Sequence, residues 1–381
     1  MELVYLDNSA TTKPHKEVID EVTQCMEQNF ANPSSAHKLG VEAERKLKTA
    51  REKVAAFIKA KPQEIVFTSG GSEANNMAVF GVVSKGDHII TSRIEHPSIL
   101  RQLQDMEQNS FEITYLDVDC DGIIDLEQLE KSIKENTKLI TIMYVNNEIG
   151  SIQPVHEIIR IVREKNRKTK VHIDAVQALG KININVKELG ADLISFSAHK
   201  IHGPKGVGAL YVKEGLRIRP LIAGGGQEFE VRSGTENLPG ISGFGTAVSI
   251  LEQDFEQKCQ HVKTLKQHFI EGLKEIDKIK INSPLDKLHI NNILNVSFEG
   301  LRGEVMLHAL EDYHIYVSTG SACSAKKGSH KNYVLPAIGL SPIEAEGAIR
   351  FSFSYINTVE EIDYTIEAIS KILPFLRRVK K

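Results

Sequence analysis

No apolar run in the 381 residues approaches the ~20 that a membrane-spanning helix needs. The first residues, Met1-Glu2-Leu3-Val4-Tyr5-Leu6-Asp7-Asn8, carry neither a basic nor an apolar leader pattern, so no secretory signal is expected. Cysteine is scarce. Cys25, Cys120, Cys259 and Cys323 stand far apart with no Cys-x-x-Cys pair, which argues against a zinc site, any other metal centre of that spacing, and a disulfide framework. That pattern suits a reducing compartment, with a cytoplasmic location as the default. An excess of one charge is also missing: 47 Lys plus Arg face 50 Asp plus Glu, a net charge of −3, so no direct nucleic-acid binding is expected. There is no Trp, no internal repeat and no low-complexity tract. What remains is ordinary globular material, 41% hydrophobic and 25% charged, which excludes global disorder. The length allows two or three domains, or one large α/β domain with an appendage.

Short apolar runs rich in Ile, Val and Phe predict strands over residues 64–68, 87–91, 113–118, 139–145, 171–174, 193–196 and 208–212. Helical spacing predicts helices over 72–83, 98–107, 126–135 and 154–166. This alternation implies an α/β fold with a mainly parallel sheet covered on both faces. After residue 240 the texture changes. A long helix over 241–276 is expected, then strands at 279–282 and 293–298, a helix at 304–313, strands at 315–317 and 348–353, and a last helix over 358–376. These form a smaller α+β domain. The expected division is 14–250 for a large domain and 1–13 with 251–381 for the small one.

Three stretches can carry chemistry. Thr68-Ser69-Gly70-Gly71-Ser72-Glu73-Ala74-Asn75-Asn76 runs from a strand through a Gly-Gly turn into a helix. Gly71 and Ser72 there are either a capped turn or a phosphate cradle of helix N–H groups and a hydroxyl. Val171-His172-Ile173-Asp174-Ala175-Val176-Gln177 ends an apolar strand on a carboxylate, where open α/β sheets bind ligands. Asp174 is either a cap or the partner of a cationic ring nitrogen. Ser195-Phe196-Ser197-Ala198-His199-Lys200-Ile201-His202-Gly203-Pro204-Lys205-Gly206 ends a strand on Ser, His and Lys. A lysine beside an anion site and an acid is a Schiff-base nucleophile candidate, and Lys200 is favoured over Lys205 because it lies nearer the strand end.

In this order the three motifs resemble the fold-type I pyridoxal-phosphate enzymes of the class V aminotransferase group. Five more stretches narrow the likeness: Tyr5-Leu6-Asp7-Asn8-Ser9-Ala10-Thr11-Thr12, Glu95-His96-Pro97-Ser98, Asn146-Asn147-Glu148-Ile149-Gly150, Arg232-Ser233-Gly234-Thr235-Glu236-Asn237 and Ser321-Ala322-Cys323-Ser324. Together the eight are similar to cysteine desulfurases of the nitrogen-fixation and iron–sulfur-assembly type, over nearly the whole chain. The resemblance implies pyridoxal 5′-phosphate as cofactor and L-cysteine as substrate. It implies that Lys200 forms the Schiff base, that Asp174 pairs with the pyridine nitrogen and that Gln177 meets the phenolate oxygen. His96 would stack on the ring and move protons rather than merely cap the helix at Pro97. Gly71, Ser72, Ser197 and His199 would bind the phosphate, and Thr235 would reach the phosphate of the other subunit in a homodimer. Asn147 would lie near cofactor and substrate carboxylate, with Arg350 gripping that carboxylate in two-point contact.

Cys323 separates a desulfurase from an aminotransferase. The small and polar residues around it cannot pack a core, which predicts an exposed, mobile loop. Lys326 and Lys327 favour the thiolate, the nucleophilic form, whereas Cys120 lies between Asp119 and Asp121. The loop is of the family's longer kind, which swings sulfur out to acceptors such as an iron–sulfur scaffold or a tRNA- or cofactor-thiolating enzyme. Transamination, selenocysteine lysis, kynurenine cleavage, a non-catalytic scaffold and a nucleotide-binding module are the rival readings. The Cys323 loop argues against the first three, and intact Lys200, Asp174 and Arg350 against the fourth. The fifth lacks an acidic ribose contact or a magnesium ligand.

Overall fold

The computed structural model describes residues 3–319 and 332–379. Strands in chain order are β1 Val4–Tyr5, β2 Ile65–Thr68, β3 His88–Ser92, β4 Glu112–Leu116, β5 Thr137–Met143, β6 Lys170–Asp174, β7 Leu193–Ser197, β8 Gly208–Val212, β9 Ile279–Ile281, β10 Ile293–Phe298, β11 Ile315–Tyr316 and β12 Ala348–Ser352. Seven of them build one sheet in the order β2-β8-β7-β6-β5-β3-β4. The pairs β7–β6, β6–β5, β5–β3 and β3–β4 are parallel, and β8 runs antiparallel to both its neighbours. The strands are covered on both faces: every residue of the inner strands β3, β7 and β8, and of the edge strand β2, is buried. The expected α/β fold with a mainly parallel sheet is therefore present, with β8 as its antiparallel member.

A second sheet, β12-β10-β9, is antiparallel, and β1 pairs in parallel with β11. The apolar side chains form a large cluster around the seven-stranded sheet and another around β10, β12 and the helices Phe255–Leu273 and Val359–Val379. Val4 and Leu6 belong to that other cluster, so the chain's start packs with its end.

Two departures from the sequence expectations stand out. The single helix over 241–276 is two helices, Leu238–Glu252 and Phe255–Leu273. Asp254 takes a φ of +54° between them, a left-handed conformation that Asp adopts more readily than most residues, and it breaks the helix without glycine or proline. The helices α1 Lys16–Gln28 and α2 Lys38–Phe57 correspond to no expected element. On α1 only Val18 and Cys25 are buried, a stripe too sparse to stand out as helical spacing.

Candidate active site

All the parallel strands end on the same edge of the sheet, and the chemistry-bearing residues collect there. β2 ends at Thr68, the chain turns at Gly70 and Gly71, and helix α3 Gly71–Val82 begins. Gly70 has a φ of +155°, and a Cβ on Gly71 would come within 2.6 Å of Val176. The turn therefore needs glycine to lay the N-terminus of α3 against the ends of β6 and β7. The first-turn N–H groups of α3 have no partner within the helix, which makes an anion seat. Beside it the buried Ser197 hydroxyl, at the end of β7, has no hydrogen-bond partner among the described residues. An orphaned buried hydroxyl next to a helix N-terminus fits a phosphate group. Glu73, in that first turn, is turned away: it accepts from Arg232 Nε at 2.8 Å and from Ser69 N–H at 2.8 Å. Burial pushes its carboxyl up, but these hydrogen bonds outweigh burial and hold it below the usual range.

Asp174 closes β6 and is buried. Its Oδ1 accepts the Val176 N–H at 3.0 Å, and its Oδ2 accepts the Asn75 side-chain amide at 2.7 Å. Lys200 follows Ser197 by one tight turn, and its ammonium rests on the carbonyls of Ser9 and Ala10. The Gln177 amide donates to the Ser9 carbonyl at 2.9 Å, while its oxygen accepts from Lys181 Nζ at 2.7 Å. Burial, with Lys200 and Arg350 nearby, lowers Lys181 to about 7. His199 lies against Thr11, ring nitrogen to hydroxyl at 3.2 Å, and burial followed by Lys200, Lys205 and Lys181 brings it down to about 4.

His96 stands before helix α4 Pro97–Gln108. Its Nδ1 accepts the Ser98 N–H at 3.1 Å and lies 2.8 Å from the Ser98 hydroxyl. The capping role set aside on sequence grounds is therefore real and coexists with a position near Asp174 and Lys200. Burial lowers the imidazole, Asp174 opposes this and Lys200 adds to it. Next door, Glu95 is buried and is pushed up to about 8 by burial, even though Ser92 donates to it at 2.6 Å.

Arg350, on β12, is buried and crosses from the smaller sheet to the large one. It meets Asp7 at 2.8 Å, the Asn147 carbonyl at 2.9 Å and Glu148 at 3.3 Å. Asn147 itself donates to Glu148 at 3.0 Å. Arg350 is thus an ion-pair residue as well as a candidate carboxylate grip. Thr235 is exposed, in the stretch tethered through Arg232 to Glu73. Cys323, with Lys326 and Lys327, lies outside the described residues. Of the other thiols, Cys25 and Cys259 are raised by burial, and Cys120 is exposed. Among the described residues no cluster of three or more His, Cys, Asp or Glu is arranged to hold a metal, and no helix is long and apolar enough to cross a membrane. Sequence reasoning missed Asn75, Ser98, Lys181, Asp7 and Glu148 as parts of this arrangement. Each lies in or beside a motif already singled out, but their contacts span 23 residues or more for Asn75 and hundreds for Asp7, which no local spacing records.

The class-V aminotransferase family model matches residues 4–365. The cysteine desulfurase IscS of Dictyoglomus turgidum is 44% identical over 382 residues, covering 99% of this chain and 96% of the relative. Among solved structures, a NifS-like protein superposes with a TM-score of 0.92 at 42% identity, covering 98% of this chain and 100% of that one. SspA in complex with cysteine gives 0.81 at 36% identity, covering 93% and 100%. The chain belongs to the cysteine desulfurases of the class-V aminotransferase family, which are pyridoxal 5′-phosphate-dependent enzymes.

Proposed function

We propose that the chain converts L-cysteine to L-alanine and passes the sulfur, as a persulfide on Cys323, to an acceptor, with the following division of labour. The observation that carries the reading is the meeting of Lys200, Asp174, His96 and the orphaned Ser197 hydroxyl at one sheet edge, beside the N-terminus of α3. Gly71, Ser72, Ser197 and His199 hold the cofactor phosphate. Asp174 accepts the proton-bearing ring nitrogen. Gln177 has its oxygen engaged by Lys181 and one N–H on Ser9, which leaves its second N–H for the phenolate oxygen. Bound there, pyridoxal phosphate supplies an electron sink that acidifies the substrate's Cα–H. Arg350 and Asn147 orient the cysteine carboxylate. Lys200 takes the Cα proton on Nζ, the Cys323 thiolate takes the substrate sulfur, and His96 and Lys200 return protons to carbon. The balance is one cysteine and one thiol in, one alanine and one persulfide out.

Residues 14–250 act as the cofactor domain, and 1–13 with 251–381 as the small domain carrying Arg350 and Cys323. Thr235 serves the phosphate site of the second subunit of a homodimer. Leu221, Ile222 and Phe229 in the same stretch are 41, 40 and 53% exposed and would be covered there. The acceptor is an iron–sulfur scaffold or a tRNA- or cofactor-thiolating enzyme, and the setting is cytoplasmic. Alanine released from L-cysteine by the purified holoenzyme, in step with sulfide when a reducing thiol is present, tests the reading. A holoenzyme that yields no alanine refutes it.

A further inference from the structure

We infer that Glu148 is a proton-uptake site coupled to substrate binding: when a substrate carboxylate joins the Arg350 cluster, Glu148 takes one proton from solvent on its Oε2 atom. The inference rests on the reading above of Arg350 and Asn147 as the carboxylate grip, and the test below separates the two.

The cluster already holds more acid than base. Arg350 meets Asp7 at 2.8 Å and Glu148 at 3.3 Å, so two carboxylates share one guanidinium. A substrate carboxylate brings a third negative charge to it. Carboxylates crowded into one site raise one another's pKa until one of them binds a proton. The groups that face Glu148 are Arg350 from β12, Asp7 from the N-terminal stretch, Lys200 from the turn after β7 and Tyr333 beside the helix Val334–Ala337. Burial, the largest influence, already raises the Glu148 carboxyl, with Arg350 opposing, Asp7 adding and Lys200 opposing. The two acids and one arginine carry one net negative charge before binding. With one carboxylate and one proton added, they carry the same charge after it.

Geometry selects Glu148 over Asp7. Glu148 Oε1 is occupied, accepting from Asn147 Nδ2 at 3.0 Å and from Arg350. Its Oε2 is buried and has no hydrogen-bond partner among the described residues. A buried charged oxygen without a donor is costly, and a proton there removes the charge. The O–H so formed is a donor in a cluster that gains an acceptor when substrate enters. Asp7 is the more exposed of the two acids and makes the shorter contact with Arg350. Glu148 also cannot swing out to water. Its N–H and that of Ile149 donate to Asn146 Oδ1 at 2.8 and 3.1 Å, and its carbonyl accepts from Asn295 at 3.3 Å. Held on a pinned turn, it answers an added charge by protonation. The bound state holds the extra proton, so affinity declines as pH rises.

The test titrates holoenzyme with L-alanine, which carries the carboxylate and amine of the substrate but no sulfur to lose. Binding heats in phosphate and in Tris at one pH, two buffers of different ionisation enthalpy, give the protons exchanged. Protons moved by the amine are common to wild type and Glu148→Gln, so the difference between the two proteins reports Glu148. On the alkaline side of neutrality the wild type should take up about one proton more than Glu148→Gln, and the ratio of its dissociation constant to that of the variant should climb by up to about tenfold per pH unit. Infrared difference spectra of the wild type should gain a protonated-carboxyl band when L-alanine is added, a readout that stands even if Glu148→Gln does not fold. Equal proton counts in wild type and Glu148→Gln, an extra proton that disappears in Asp7→Asn but persists in Glu148→Gln, or no gain of that band overturns the inference. L-alaninamide, which lacks the carboxylate, should bind more weakly and without the extra proton. Alaninamide that binds as tightly as alanine would sink the grip reading and the inference with it, a failure distinct from a protein that prefers alanine but takes up no extra proton.

Discussion

Arg350 has two jobs that pull apart under mutation. Its side chain is 6% exposed and lies between Asp7 and Glu148, whose side chains are 21 and 9% exposed. Truncation to Ala strands two acids beside each other, one of them, Glu148, already raised by burial. Breaking a buried pair from one side costs about 3–5 kcal/mol. At roughly 2 °C per kcal/mol, the low end expected for a long chain, the melting temperature should drop by about 6–10 °C. The second loss is to substrate. Removing a buried charged hydrogen bond costs about 2–5 kcal/mol, or roughly 30- to 5,000-fold in cysteine affinity. A compensated variant separates the two. Asp7→Asn and Glu148→Gln combined with Arg350→Leu removes all three charges and should recover most of the melting temperature. It should not recover cysteine binding, read as the change in cofactor absorbance during a cysteine titration. Wild-type affinity in Arg350→Ala, or affinity restored in the triple variant, would show that Arg350 is a structural ion pair and nothing more.

Glu95→Gln should flatten the dependence of stability on pH between about 4.5 and 8. The folded carboxyl titrates near 8 and the unfolded one near 4.5, so the folded state holds the extra proton in between and wild-type stability declines as pH rises across that window. Melting curves at several pH values check this, and parallel profiles for wild type and Glu95→Gln would contradict it. At the acid end, His172, lowered to about 3 by burial, should favour unfolding as pH falls below about 6.5. A melting temperature that stays flat from pH 7 to 5 would argue against that. Ser197→Ala should weaken cofactor retention during dialysis about tenfold, the worth of one charge-assisted hydrogen bond of about 1.5 kcal/mol, without unfolding the protein; equal retention would remove Ser197 from the phosphate site. Thr235→Ala should also weaken retention while the protein stays dimeric in sedimentation, and a fully active monomer would discard the shared site.

The parts of the fold legible in the sequence are those whose pattern is local. β8 was expected over the residues it occupies, and β2, β3, β6 and β7 within a residue or so, because buried strands are short apolar runs between turn residues. Helix α1 escaped because it buries only Val18 and Cys25, and α2 because its buried stripe is mostly small or charged, Gly40, Ala43, Ala50, Arg51 and Ala55 with only Leu47 and Val54 as larger apolar residues, so it does not read as an apolar face. The break at Asp254 escaped because nothing about an Asp between Gln253 and Phe255 demands a left-handed residue. At the site, Lys200, Asp174, His96 and Arg350 stood out by their motifs. Their partners did not: Asp7 meets Arg350 across 343 residues, and the Asn75 amide that links Asp174 to Ser98 looks like any helix asparagine until the fold brings the three together.

The central claim is that sulfur leaves cysteine on Cys323 after the substrate has been bound and oriented by the residues at the sheet edge. The most direct measurement is single-turnover mixing of L-cysteine with Cys323→Ala holoenzyme, following cofactor absorbance and alanine together. Cofactor should be retained and the absorbance should respond to cysteine as in the wild type, because Lys200, Asp174 and Arg350 are intact, while alanine formation stops. Alanine formed at the wild-type rate by Cys323→Ala would contradict the account.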